Sequence, residues 1–73
     1  MKTIHTKEYR QYLNKLRQAR VDSGLSQEEV AKRLKKPQSY VSKSESGERR
    51  LDLLEITKFL KIYNKNIEYL KEK

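Results

Sequence analysis

Leu25-Ser26-Gln27-Glu28-Glu29-Val30-Ala31-Lys32-Arg33-Leu34-Lys35-Lys36-Pro37-Gln38-Ser39-Tyr40-Val41-Ser42-Lys43-Ser44-Glu45-Ser46-Gly47 is the stretch whose reading decides the fold. It reads as two short helices with a tight joint between them. Ser26 stands three residues before Glu29, the spacing at which each side chain satisfies a backbone N–H at the open start of a helix, and Leu25 and Val30 take the flanking staple positions. Val30, Ala31 and Leu34 then recur on one helical face. Lys35-Lys36-Pro37 breaks the pattern, because proline suits the start of a new helix and disfavours helical geometry in the residue before it. The second helix is expected from about Pro37 to Ser46, closed by Gly47 in a left-handed conformation. Val41 anchors its inner side, with Ser44 and Glu45 one turn on. The outer side carries Ser39, Ser42, Lys43 and Ser46, with Gln38 at the flank. A face that was only solvated would more usually show Lys/Glu pairs at four-residue spacing. Small, donor-rich side chains near a helix start instead suit reading of base edges in a major groove.

The segment resembles the helix-turn-helix of the lambda-repressor-like superfamily, XRE/Cro type, and Pro37 to Asp52 (PQSYVSKSESGERRLD) is similar to a common form of its recognition helix and following loop. The resemblance extends over about Tyr9 to Leu70 and is specific over Leu25 to Leu54. It implies an all-α bundle of about five short helices that binds operator DNA, usually as a homodimer. On the family's pattern Gln27 touches the phosphate backbone. Gln38, Ser39 and Lys43 face base edges with Ser42 beside them, and Ser46, Arg49 and Arg50 grip phosphates. Arg20 and Glu45 match a structural ion pair. Two positions depart from the pattern. Lys35 occupies a turn position that is often glycine, so a non-glycine residue must make the joint. Ser44 stands where many relatives carry a large apolar residue, so packing there is expected to be thinner or filled by a tyrosine.

The chain of 73 residues allows one domain, and a domain of that size buries only about 60% of its unfolded surface. The domain is expected over 6–73, after a flexible leader over 1–5. The leader contains the single histidine, His5, read as a tail residue. The hydrophobic fraction of 34% is low but clustered, as a small helical core requires. The absence of cysteine excludes a disulfide framework and fits a reducing cytoplasm. No apolar run approaches the roughly 20 residues of a membrane span, and the N-terminus lacks the apolar centre of a signal peptide. A cytoplasmic protein is the expectation.

The net charge of +8 favours a polyanionic partner. Its distribution is uneven, however. Residues 26–50 hold seven Lys or Arg against four Glu, residues 1–20 six against one, and residues 57–73 five against two. Much of the excess therefore lies outside the two-helix segment and serves solubility equally well.

The first helix is expected from a Thr6 cap to about Ser23, ended by Gly24. Tyr9, Tyr12, Leu13, Leu16 and Ala19 form its core stripe. Arg20 lies one turn beyond Leu16, toward that side. A guanidinium there demands a carboxylate, and Glu45, on the inner side of the recognition helix, is the partner to expect. After the polar loop Glu48-Arg49-Arg50, Asp52 and Glu55 repeat the capping-box spacing with Leu51 and Ile56 as staple. Leu53, Leu54, Ile56, Thr57, Leu60 and Tyr63 are expected on the core face of the helix they open, widened by Phe59 and Ile62. Asn64 ends it. Asn66 caps a last short helix with Ile67, Tyr69 and Leu70 apolar. Such a helix is not stable alone; it docks on the core or meets a second copy, and the resemblance favours the copy.

Catalysis is poorly supported. A serine nucleophile has no base, since the one histidine is in the tail. The two glycines sit at helix ends and cradle no phosphate, and metal-ligand spacing is absent. No cofactor is expected. The reading is a sequence-specific regulator, by default a repressor, binding a palindromic operator through residues 37–46. Two alternatives remain open. One is an antitoxin that binds a toxin and represses its own operon, whose mark would be an added tail or apolar patch. The other is a protein-interaction module that has lost DNA binding.

Overall fold

The computed structural model describes residues 6–72, and these form five helices: α1 (Lys7–Asp22), α2 (Gln27–Leu34), α3 (Gln38–Ser46), α4 (Leu53–Ile62) and α5 (Ile67–Lys71). The leader over 1–5 lies outside the described residues. Each start has its local cause. The Thr6 hydroxyl accepts the Tyr9 N–H at 3.2 Å. Ser26 and Glu29 exchange bonds at 3.1 and 2.8 Å, and Asp52 and Glu55 do so at 2.8 and 2.9 Å, which are the two expected capping boxes. Asn66 caps α5 through Glu68 N–H at 3.0 Å.

Pro37 is the cap of α3 and not its first residue, with φ −68° and ψ 157°. The ring fixes φ but supplies no acceptor, so α3 begins at Gln38 without a side-chain cap. The joint before it is made by Lys35 at φ 61°, ψ 44°, a left-handed conformation that costs a non-glycine residue about 1–2 kcal/mol. At the other end of α3 the buried Gly47 takes φ 89°. That lets the Arg49 N–H turn back to the Lys43 carbonyl at 3.0 Å and starts the loop toward α4.

The core is Leu13, Leu16 and Ala19 of α1, Val30 and Ala31 of α2, Val41 of α3, Leu51 of the loop, Phe59 and Leu60 of α4, Tyr63 after it and Leu70 of α5. Ser44 is buried with them, and its hydroxyl donates to the Tyr40 carbonyl at 2.6 Å. The space around it, among Leu13, Leu16, Leu51, Phe59 and Tyr63, admits no water. Phe59 and Tyr63 are among the large side chains that border the small gap beside the serine. Burial pushes the Tyr63 hydroxyl above the usual phenol range, with the Glu45 charge adding to it.

The core face of α4 is narrower than expected. Leu53 and Leu54 are 69% and 65% exposed, and Thr57 is exposed too, its hydroxyl donating to the Leu53 carbonyl at 2.8 Å. At 100° per residue the inward positions are Ile56, Phe59, Leu60 and Tyr63. Leu54 lies opposite them, and Leu53 and Thr57 lie beyond the edge. The helix is apolar at more positions than it has partners for. α5 packs on α1 with Leu70 buried, and the Lys15 and Lys65 ammonium groups lie 4.6 and 4.9 Å from the Tyr69 ring centre. Of the two expected fates for α5, docking is the one the fold displays.

Candidate nucleic-acid interface

Residues on α3 divide by angle. Taking Gln38 as zero, Ser42, Ser46, Ser39 and Lys43 follow within an arc of about 140°, while Tyr40, Ser44, Val41 and Glu45 occupy the remainder. Gln38, Ser39, Lys43 and Ser46 are exposed and Ser42 is half-buried, whereas Val41 and Ser44 are fully enclosed. The helix therefore presents one continuous polar face. It is seated by α1 and α2, which pack against its inner side.

An ion pair fixes that seat. The Arg20 Nε donates to Glu45 Oε2 at 2.6 Å and Nη2 to Oε1 at 3.2 Å, while Nη1 donates to the Leu25 carbonyl at 2.9 Å. The side chains are only 12% and 7% exposed. Arg20 thus ties α1 to both the loop entering α2 and the inner side of α3. Glu45 also accepts from Gln27 Nε2 at 2.9 Å, and Gln27 Oε1 faces Gln38 Nε2 across 3.5 Å. Gln27, placed at a phosphate contact by the family pattern, is half-buried and held at the start of α2 between the ion pair and the first residue of α3.

The loop after α3 treats its two arginines differently. Arg49 Nη2 donates to Glu55 Oε2 at 2.8 Å, Nη1 donates to the Arg50 carbonyl at 3.1 Å, and its guanidinium lies 4.5 Å from the Tyr40 ring centre. The Tyr40 hydroxyl donates to the same Glu55 oxygen at 3.3 Å, and its ring stacks on Phe59. This arrangement lowers the Glu55 carboxyl pKa, chiefly through the Arg49 bond and then through the Asp52 N–H. Arg50 is exposed and in no ion pair among the described residues. The Ser46 hydroxyl donates to the Lys43 carbonyl at 3.2 Å and accepts the Glu48 N–H at 3.4 Å. Sequence reasoning missed three of these residues: Glu55 and Tyr40 as holders of Arg49, and Tyr9, whose hydroxyl accepts the Leu51 N–H at 3.0 Å and pins the end of the loop to α1. Only the position of Tyr9 on the α1 stripe hinted at such a role.

The family model for the helix-turn-helix matches residues 16–70, which spans α2, the Lys35 joint, α3 and α4 and most of the remainder. The chain belongs to the XRE-type, lambda-repressor-like helix-turn-helix family. A search of curated proteins returns no significant match. Membership makes this helix-turn-helix protein a DNA-binding transcription regulator, of a family that is typically non-enzymatic, with double-stranded DNA as its partner. Among the described residues no helix is long and apolar enough to cross a membrane, and no group of side chains could hold a metal.

Proposed function

We propose that the protein is a repressor that binds a palindromic operator as a homodimer, with α3 in the major groove. The observation that carries the reading is the polar arc of α3, backed by the Arg20–Glu45 pair that keeps it facing outward. Gln38 suits a bidentate contact to adenine N6 and N7, and Lys43 one to guanine O6 and N7; Ser39 and Ser42 are short enough to let the helix approach closely. Gln27 both positions the Gln38 amide and reaches a phosphate with its remaining N–H. Arg50 and Ser46 hold phosphates beside the groove. Arg49, already engaged by Glu55 and Tyr40, shapes the loop and adds positive potential.

The homodimer is supported by Leu53 and Leu54, two adjacent large apolar side chains left uncovered at the start of α4. Its regulatory mode is occlusion of a promoter, in the cytoplasm and without a cofactor. An antitoxin would use the same apolar pair for a toxin and would bind a heterologous protein there in place of a second copy. Selection from randomised duplex DNA at two salt concentrations tests the reading. The expected result is an enriched palindrome with half-sites about 34 Å apart and an affinity falling steeply with salt. Recovery of no motif, with weak salt-sensitive binding only, would refute it.

A further inference from the structure

A second charged surface lies away from α3. The last turn of α2 and the second half of α4 enclose a shallow groove of about 300 Å³, lined by Arg33, Leu34, Lys58, Lys61 and Ile62. Lys58, Lys61 and Ile62 share a face through their three- and four-residue spacing. Leu34 and Ile62, both half-buried, make an apolar floor, and the three exposed cations stand around it. None of the three is in an ion pair among the described residues. The nearest acid on α2, Glu29, feels the Arg33 charge one turn away, but its carboxylate is taken by the Ser26 cap. Leu34 is seven residues from Gln27, about 10 Å along α2, so the groove is at the opposite end of that helix from Gln27.

We infer that this groove is a docking site for an acidic amphipathic segment of a partner protein, one large apolar side chain lying on Leu34 and Ile62 with flanking Asp or Glu carboxylates against Arg33, Lys58 and Lys61. Charge complementarity selects the acidic flanks. The floor selects a peptide over a nucleic-acid backbone, because phosphates make no use of two aliphatic side chains, whereas an apolar anchor in a pocket is where peptide-binding energy concentrates. The cations add orientation and encounter rate. The inference stands independently of the operator reading, since none of the groove residues belongs to the polar face of α3.

The test uses the whole chain, isotope-labelled, titrated with a synthetic peptide of about a dozen residues in which Asp and Glu flank a Leu-Leu-Phe centre. Control peptides keep every acid and replace the centre by serines. The expected result is saturable amide shifts centred on Arg33, Leu34, Lys58, Lys61 and Ile62. Affinity should fall at least tenfold for the serine peptide, and at least tenfold for Lys58→Glu/Lys61→Glu. Both lysines are exposed, so that variant should stay folded and keep the parent's order of preference among duplex sequences, with duplex affinity lowered evenly by the loss of four units of positive charge. Equal binding of the serine peptide, or shifts centred on α3, would overturn the inference as general attraction of polyanions. A duplex that shifts the same five amides in the parent chain, saturably and in competition with the peptide, would overturn it in favour of a phosphate track.

Discussion

Gln38 and Gln27 form a pair in which the second glutamine decides what the first can offer. With its Nε2 toward Gln27 Oε1, Gln38 keeps its own carbonyl oxygen and its second N–H for a base edge, the donor and acceptor that adenine requires. Gln38→Ala is expected to cost about 1–3 kcal/mol of discrimination at one position of each half-site while leaving the melting temperature unchanged, as competition binding with single-base operator variants would show. Unaltered preference would remove Gln38 from base reading. The two loop arginines separate just as clearly. Arg50→Ala should weaken binding to all sequences alike and reduce the salt slope by about one. Arg49→Ala should in addition lower the melting temperature, because it strips Glu55 and Tyr40 of their common partner. Equal melting temperatures for the two variants would contradict that assignment. The sequence placed both arginines in the loop but could not tell them apart, since the acid that claims Arg49 belongs to the next helix and was already explained as half of a capping box.

Helix starts and stops were legible because their causes are local: Thr6, Ser26, Asp52 and Asn66 act within three residues of themselves. The exposure of Leu53 and Leu54 was not, since apolarity alone does not say which side of α4 has neighbours. Ser44 was legible as a departure, but that Phe59 and Tyr63 border it followed only from the packing of α4 on the bundle. The joint between α1 and α3 can be tested as a unit. Removing one member of an ion pair this enclosed leaves a stranded charge, at a cost of about 3–5 kcal/mol, whereas replacing both by apolar residues is often near neutral. Glu45→Ala should therefore melt well below an Arg20→Met/Glu45→Leu double variant, and thermal melts with both single variants unaffected would sink this account. The α3–α4 joint responds to acid. The Glu55 pKa in the folded chain lies below its ordinary 4.5. Its contribution is thus complete above about that pH and is lost as pH falls through the lower folded value. Glu55→Gln should destabilise the protein at neutral pH and flatten the fall in melting temperature between pH 5 and the acid end, both read from melts across pH.

At the scale of the molecule, the bundle measures 29 × 26 × 19 Å. Its longest dimension is close to one turn of DNA, about 34 Å, so in the proposed homodimer each copy is of a size to cover one half-site. If Leu53 and Leu54 meet across the two-fold axis, Leu54→Asp should shift sedimentation toward monomer and weaken operator binding while the protomer stays folded, its melting temperature losing the parent's dependence on protein concentration. A variant that sediments as the parent does would place the contact elsewhere. Net charge was readable from composition, but its division into a recognition face and the Arg33–Lys58–Lys61 groove was not, because residues distant in sequence share the groove only after α2 and α4 pack together.

The alternation along α3 has a consequence for how such a regulator diversifies. Val41, Ser44 and Glu45 are answerable to the interior, while the Ser39 and Lys43 side chains face outward and Gln38 meets the bundle only through a 3.5 Å approach to Gln27. The two duties sit on different residues of one nine-residue helix. On the proposed reading, mutational drift at the outward positions rewrites which operator is read without passing through unfolded intermediates, and a lineage of such proteins acquires new targets by a few surface exchanges on an unchanged frame.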